Sequence, residues 1–282
     1  MKKCYLCGNT SFIKRPGKVR DNENLDILEC NACGLVFLSS FDHISNNFYE
    51  SSFMHETKID INSWIRECEP DDVRRIKYLK QLITNKSVLD FGSGPGGFLI
   101  KAKTTASNVA GIEVEKRLKE HYQKNGIDLY SSIDEVNTQY DIITLFHVLE
   151  HLSDPISTLI SLSKKLNNKG KIIIEVPSSN DALLLLYQNE PFTRFTYWSP
   201  HLFLFNRKTL ATVVEKSRLK VISIKNIQRY PLSNHLYWLA YGKPGGHKEW
   251  SFLDSEELHI AYEKQLASND LTDTILGIFS VE

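Results

Sequence analysis

Three groups of residues in this 282-residue sequence have types and spacings suited to chemistry. The first is a turn, LDFGSGPGGF, at residues 89–98. Gly92, Gly94, Gly96 and Gly97 remove the β-carbons from a strand-to-helix connection, so a ligand can lie against backbone N–H groups and the positive end of the next helix. The second group is two tight cysteine pairs, Cys4-x-x-Cys7 and Cys30-x-x-Cys33, each followed by glycine. Four thiolates at this spacing close a tetrahedral zinc sphere and leave no position for water, so the zinc is expected to be structural. Two disulfides are the alternative, disfavoured in a reducing compartment. The third group is histidine-based: His147-Val-Leu-Glu150-His151, and His201 within FTYWSPHLFLFN at 195–206. Imidazole is the natural proton acceptor near neutral pH, with an unperturbed pKa of about 6.5.

The glycine turn fits two ligands. Gly92, Gly94 and Gly97 satisfy the dinucleotide pattern G-x-G-x-x-G, while Asp90, Gly92, Gly94 and Gly96 satisfy D-x-G-x-G-x-G. Asp90 decides between them, because a carboxylate at the end of the first strand attracts an ammonium group and repels a pyrophosphate. Glu113 ends the second strand, where either ligand would offer it ribose hydroxyls. Acid at both strand ends favours a cationic ligand with a ribose, S-adenosylmethionine, and NAD is not expected to bind appreciably.

The elements that must position these residues alternate as in a doubly wound α/β sheet. Strand-like runs at 87–91, 108–114, 128–131, 140–147 and 171–176 are separated by helical stretches such as 115–125 and 156–166. The second of those helices is entered through Asp154-Pro155 and closed by a turn at 167–170. Right-handed crossovers make such a sheet mostly parallel and put ligands at the carboxyl ends of its strands. A helix at 207–217, a strand at 220–227 and a closing strand at 274–281 follow. Ahead of the sheet, Val73, Ile76, Leu79, Leu82 and Ile83 recur at helical spacing. The expected division is a zinc ribbon at 1–40, a lid or linker of short helices at 41–70, a cofactor-binding core at 71–229, a substrate-capping helical insertion at 230–273 and the last strand at 274–282.

Lys and Arg total 34 and so do Asp and Glu, giving zero formal net charge. That balance calls for neither nucleic acid nor an acidic membrane surface, so the expected partner is a small molecule. With no secretory pattern and no run of about 20 apolar residues, the protein is expected in the cytoplasm, as a monomer or homodimer.

From residues 88 to 210 the sequence resembles the class I S-adenosylmethionine-dependent methyltransferases. VLDFGSGPGGFL is similar to their first motif, GIEVEK to their ribose-binding acid and YDIITLFHVLEHLSDP to their fourth-strand motif. The resemblance implies a seven-stranded Rossmann-like sheet and methyl transfer, with Phe146 and His147 beside the methionine or adenine part of the cofactor. The ribbon further resembles that of a bacterial subgroup methylating nucleotide-linked sugars, which implies a carbohydrate-derived acceptor such as a sugar nucleotide or a surface-polysaccharide precursor. In that subgroup a Tyr/Ser-rich segment covers the substrate. NNFYESSF stands in its place, implicating Tyr49 and Phe53. The sugar C-methyltransferases carry a Glu immediately before the histidine that matches His201. Pro200 stands there instead, which favours methylation of a hydroxyl over methylation of carbon.

Competing roles remain for the other polar residues. His147, Glu150 and His151 formally read H-x-x-E-H, an inverted zinc-protease motif, but that motif needs both histidines on one helix, whereas His147 closes a strand-like run. Glu150 and His151 suit a helix cap as well as a substrate or catalytic role. His201 is either the base that takes the acceptor proton or a packed residue bonded to a carbonyl, with Tyr197 and Trp198 beside it as substrate candidates. Tyr230, Asn234, His235 and Tyr237 either wall an acceptor pocket or fill a helical cap. An RNA methyltransferase is the main rival reading, sustained by the basic start (Lys2, Lys3, Lys14, Arg15, Lys18, Arg20). A sugar C-methyltransferase and a catalytically silent binding scaffold are the others.

Overall fold

The structure, a computed structural model, describes residues 2–44, 48 and 60–281. Their strands form two sheets. Four short strands, β1 (Phe12–Lys14), β2 (Ile27–Cys30), β3 (Val36–Leu38) and β9 (Phe203–Leu204), make an antiparallel sheet in that order. The other seven are β4 (Ser87–Phe91), β5 (Asn108–Ile112), β6 (Asp128–Tyr130), β7 (Tyr140–Phe146), β8 (Leu166–Pro177), β10 (Leu219–Ile227) and β11 (Thr274–Val281). They run in the order β10-β11-β8-β7-β4-β5-β6, with β11 antiparallel to both neighbours and the other pairings parallel. This is the seven-stranded, mostly parallel Rossmann-like sheet expected from the sequence.

Period-2 alternation explains how the sheet is covered on both faces. Along β8, Ile172, Ile174 and Val176 enter one apolar cluster and Ile173 enters the other; in β4, Leu89 and Val88 divide the same way. The first cluster includes Leu35, Val36, Phe37 and Leu38 of the N-terminal ribbon, so ribbon and sheet share one core. The second contains Leu79 and Ile83 of α1 (Ile61–Ile83) together with Phe98 and Leu99 of α2 (Gly97–Ala102).

Two expectations change. The stretch before residue 70 does not break into short helices from residue 61 on, because α1 begins there and continues through Pro70. Its Asp60 carboxylate accepts from Ser63 N at the start, and packing beyond the proline outweighs the one backbone bond that Pro70 cannot make. Its buried stripe is Asp72, Arg75, Leu79 and Ile83, while Val73 is half exposed. The charged pair has displaced the apolar phase by one residue because it faces a cavity. The turn at 167–170 also lies within β8: Tyr140 pairs with Leu166 and Ile142 with Lys171, so four residues bulge out against one.

The remaining helices are α3 (Lys119–Lys124), α4 (Pro155–Ser163), α5 (Ala182–Leu185), α6 (Glu190–Thr196), α7 (Arg207–Lys216), α8 (Leu232–Tyr241), α9 (Gly246–Glu249) and α10 (Glu256–Ser268). The last three precede β11, where the sequence places a helical insertion.

Candidate active site

A cavity of about 430 Å³ opens at the carboxyl ends of β4, β5 and β7. Its floor is the glycine turn. Gly92 has φ +71° and a β-carbon there would stand 2.5 Å from Val148; Gly94 has φ +49° and faces the Trp64 ring at 3.2 Å. Bare backbone therefore lines the cavity because neighbouring side chains already occupy the space a β-carbon needs. Tyr122 donates to Ser93 Oγ at 2.7 Å, tying the turn to α3. Gly96 caps α2 in the left-handed conformation, outside the cavity lining.

Four carboxylates line this cavity: Asp72, Asp90, Glu113 and Glu115, the last paired with Arg117. Asp90 is buried, and the Thr144 hydroxyl donates to it at 2.7 Å. Burial lifts its pKa to about 7 against that hydrogen bond and the pull of Arg75, with Asp72 and Glu113 adding repulsion. Burial likewise lifts Asp72 to about 6, although Arg75 lies 3.2 Å away. Glu113 accepts from Gly94 N at 2.8 Å, Val114 N at 2.8 Å and Glu115 N at 3.0 Å, so it braces the turn as well as facing the cavity. A ligand carrying ammonium and sulfonium charges supplies what these acids lack, and the residues present fit S-adenosylmethionine.

Behind the cavity lies a charged network that sequence reading missed. Arg74 and Arg75 both grip Glu175, whose carboxylate is fully buried; burial would lift its pKa, but Arg75, His147 and Arg74 hold it well below the usual range. Arg75 also stacks on Phe146, 4.5 Å from the ring centroid. Arg229 pairs with Asp71 and reaches His147 Nε2 at 3.2 Å. Burial and Arg229 disfavour a charge on His147, yet Glu150 and Glu175 prevail and raise its pKa. His147 has φ +56°, a costly conformation for a side-chain-bearing residue, and stands just after β7 with Phe146 in the cavity lining. The signal for α1 was available: Asp72 and Arg75 sit in phase with Leu79 and Ile83, and charges on a buried stripe point to a polar cavity.

His151, on the 3₁₀ turn Leu149–His151, carries the cavity towards a second group of residues. His201 and His151 lie with ring centroids 4.9 Å apart, and Trp198 is 5.6 Å from His201 and 6.4 Å from His151. His201 Nδ1 contacts Thr196 O at 3.0 Å, and His151 Nδ1 contacts Pro200 O at 3.0 Å. His201 does not keep an unperturbed pKa: burial first and His151 second push it down to about 4.

The ribbon holds this group in place. Asp21 accepts from Ser199 N at 3.0 Å and from Ser199 Oγ at 2.7 Å; Arg20 N donates to Tyr197 O at 3.0 Å, and the Arg20 guanidinium lies 4.5 Å from the Trp198 ring centroid. Tyr197 itself is buried below that loop. In the ribbon, Cys4 and Cys33 sulfurs are 3.5 Å apart, as are Cys7 and Cys30, and no disulfide joins them. Tetrahedral zinc at about 2.3 Å from each sulfur requires separations near 3.8 Å, so the four residues fit the ion.

The insertion candidates face elsewhere. Asn234 and His235 are buried within the cap, the former bonded to His247 Nδ1 at 3.1 Å and the latter to Tyr262 Oη at 2.6 Å. Tyr237 packs on Trp250 and Tyr241, and Tyr230 packs on His247 near Arg229. None of the four lines the cavity. Tyr49 and Phe53 lie outside the described residues.

A Rossmann-like sheet with an acid-lined cavity over its glycine turn defines a class of methyl-transferring enzymes. The family described as "Methyltransferase domain" matches residues 65–224, more than half of the chain, and the chain belongs to that family. A methyltransferase domain thus makes up more than half of the chain. The chain is 28% identical over 163 residues to the ubiquinone biosynthesis O-methyltransferase of Hydrogenovibrio crunogenus, covering 53% of this chain and 63% of that relative. The chain thus spans a little under two thirds of the length of that relative. The protein of the same name from Coxiella burnetii (strain Dugway 5J108-111) is 25% identical over 179 residues, covering 57% of this chain and 75% of that one. Among solved structures, an S-adenosylmethionine-dependent methyltransferase from Archaeoglobus fulgidus matches with TM-score 0.50 and 17% identity, covering 75% of this chain and 93% of the other. Another from Thermotoga maritima, described as a possible histamine N-methyltransferase, matches with TM-score 0.51 and 15% identity, covering 79% and 96%. These two likenesses concern the fold. Among the described residues no helix is long and apolar enough to cross a membrane.

Proposed function

We propose that the chain methylates a hydroxyl oxygen of a small acceptor seated between the cofactor cavity and the Trp198–His201–His151 wall. The observation that carries this reading is the adjacency of the two: His151 lines the cavity and packs on His201. In this reading Asp90 and Glu113 hold the cofactor, Phe146 and His147 flank it, and the zinc-bound ribbon fixes the acceptor side. Bound cofactor supplies an electrophilic methyl group on a sulfonium. The chain's task is to align an acceptor oxygen with it at about 3 Å, an effect that can supply much of the acceleration.

Two acceptor classes fit. A sugar-derived hydroxyl is favoured by the ribbon's resemblance and by aromatic Trp198 at the wall, a surface on which a sugar can stack. A phenolic hydroxyl is favoured by relatives named for O-methylation in ubiquinone biosynthesis. Incubation with methyl-labelled S-adenosylmethionine and panels of sugar nucleotides, catechols and RNA, followed by mass spectrometry, tests both. Label on a sugar or phenol oxygen supports the reading. Label confined to carbon, nitrogen or RNA overturns it.

A further inference from the structure

We propose that Glu150, His151 and His201 bind a divalent first-row cation on the acceptor side of the cavity. Three independent features of the geometry support the site. First, two segments some fifty residues apart bring one carboxylate and two imidazoles together, with their ligand atoms all within 4.8 Å of one another. Second, each imidazole is oriented through its other nitrogen. His151 Nδ1 meets Pro200 O and His201 Nδ1 meets Thr196 O, both at 3.0 Å. A carbonyl only accepts, so both Nδ1 atoms carry the proton and both lone pairs sit on Nε2; metal-binding histidines are held in this way.

Third, Glu150 is fully buried, and among the described residues neither carboxylate oxygen accepts a hydrogen bond. His147 Nδ1 stands 3.4 Å from Oε1, too long for a hydrogen bond of ordinary strength. Glu175 is as deeply buried, but it holds Arg74 and Arg75 at 2.9 and 2.7 Å. Only the imidazoles of His147, His151 and His201 stand near Glu150 to offset its charge among the described residues, and a metal ion would offset that charge more fully.

Two imidazoles and one carboxylate suit Mn²⁺, Fe²⁺, Co²⁺ or Zn²⁺ and leave coordination positions open for oxygen ligands. The site's role rests on the O-methylation reading above. An acceptor hydroxyl bound at an open position becomes more acidic and loses its proton to water. The oxygen then forms its bond to the methyl carbon while the carbon–sulfur bond breaks, the electron pair going to sulfur and leaving a neutral thioether. No redox partner is needed. The half-buried His201 becomes a ligand in this scheme, and no strong protein base is required.

Mn²⁺ is the probe of choice, because the soft thiolates of the ribbon select against it. Titration of the full-length protein, followed by electron paramagnetic resonance, is expected to show one saturable Mn²⁺ site. Glu150→Gln and His201→Ala are each expected to weaken it more than about tenfold, with circular dichroism and S-adenosylmethionine affinity preserved. His247→Ala, in the insertion away from the cavity, is the control that keeps the Mn²⁺ signal. His151→Ala provides a third variant should Glu150→Gln fold poorly. Absence of a saturable site, or equal binding by wild type and all three variants, overturns the proposal. Full O-methylation by protein free of Mn²⁺ and Zn²⁺ at this site overturns it too while leaving the acceptor reading intact. Binding that the variants abolish establishes the site whichever acceptor is found.

Discussion

In the proposed reading, the cofactor side and the acceptor side of this molecule are built in opposite ways. The first is built around two short stretches, 87–98 and 108–115, in which each strand end delivers its acid directly to the cavity, with α1 and residues 146–152 completing the wall. The second is assembled from a ribbon loop, a 3₁₀ turn and a connection after α6, with Asp21 and Ser199 bonded across 178 positions of sequence. A site carried on a strand–turn–helix unit depends on local geometry. A site assembled by long-range contacts depends on whatever holds its pieces together, and here that includes the ribbon.

The strongest test of the contrast is removal of metal from the ribbon. One zinc per chain is expected by elemental analysis, and structural zinc contributes on the order of 10–16 kcal/mol that is also folding free energy. Because β9 pairs with β3 and Asp21 holds Ser199, Cys7→Ser should loosen 2–44 and 197–205 together in hydrogen exchange. Turnover should collapse while calorimetry shows cofactor affinity nearly unchanged. Iron in place of zinc, or equal loss on both sides, breaks the comparison.

A smaller effect is expected at His201. His201→Ala should cut turnover by roughly 10²–10⁴-fold, the range for losing a group that manages the acceptor proton, with little change in cofactor affinity or melting temperature. A matching fall in melting temperature would assign His201 to packing instead. Measuring His151→Ala alongside shows whether the two imidazoles act together, as their 4.9 Å separation suggests.

The same contrast explains what the sequence could and could not reveal. The strand positions of the main sheet and the acids Asp90 and Glu113 were legible because periodicity and motif spacing are local properties. Asp72, Arg75 and Trp64 were missed because α1 reaches the cavity from outside the motif, and charged residues interrupted its apolar phase. Asn234 and His235 were given a possible part in an acceptor wall from composition alone, yet a cap dense in aromatic and amide side chains can satisfy them internally. Polar residues that fill a small cap and polar residues that bind a ligand have the same sequence signature until the partner positions are known.

On the cofactor side, Asp90→Ala and Glu113→Ala should each weaken S-adenosylmethionine binding by about 1–3 kcal/mol, the cost of losing a charged hydrogen-bond partner. Glu113→Ala should also loosen the turn, since that carboxylate accepts from Gly94 N. Faster exchange of the turn amides in Glu113→Ala alone would separate bracing from ligand contact. Unchanged affinity in both variants would falsify the assignment of these acids.

The smallest expected effect is a pH dependence that belongs to Asp90. Its pKa in the folded protein, about 7, lies above the usual 3.8, with burial the main cause. The folded state therefore favours the protonated acid. That contribution to stability is complete below the unfolded value and disappears as pH rises through about 7. An ammonium group needs the carboxylate, so cofactor binding below pH 7 must expel a proton. Affinity should rise by up to about tenfold per pH unit below 7 and level off above it. The melting temperature of ligand-free protein should fall over the same interval, and saturating cofactor should reduce that fall. Asp72, lifted to about 6, titrates nearby and its shift has the same direction. Asp90→Asn should flatten the upper part of the affinity profile, whereas Asp72→Asn should alter only the part near pH 6. A profile that keeps its slope in Asp90→Asn would place the titrating group elsewhere in the cavity and weaken the link between buried charge and cofactor choice.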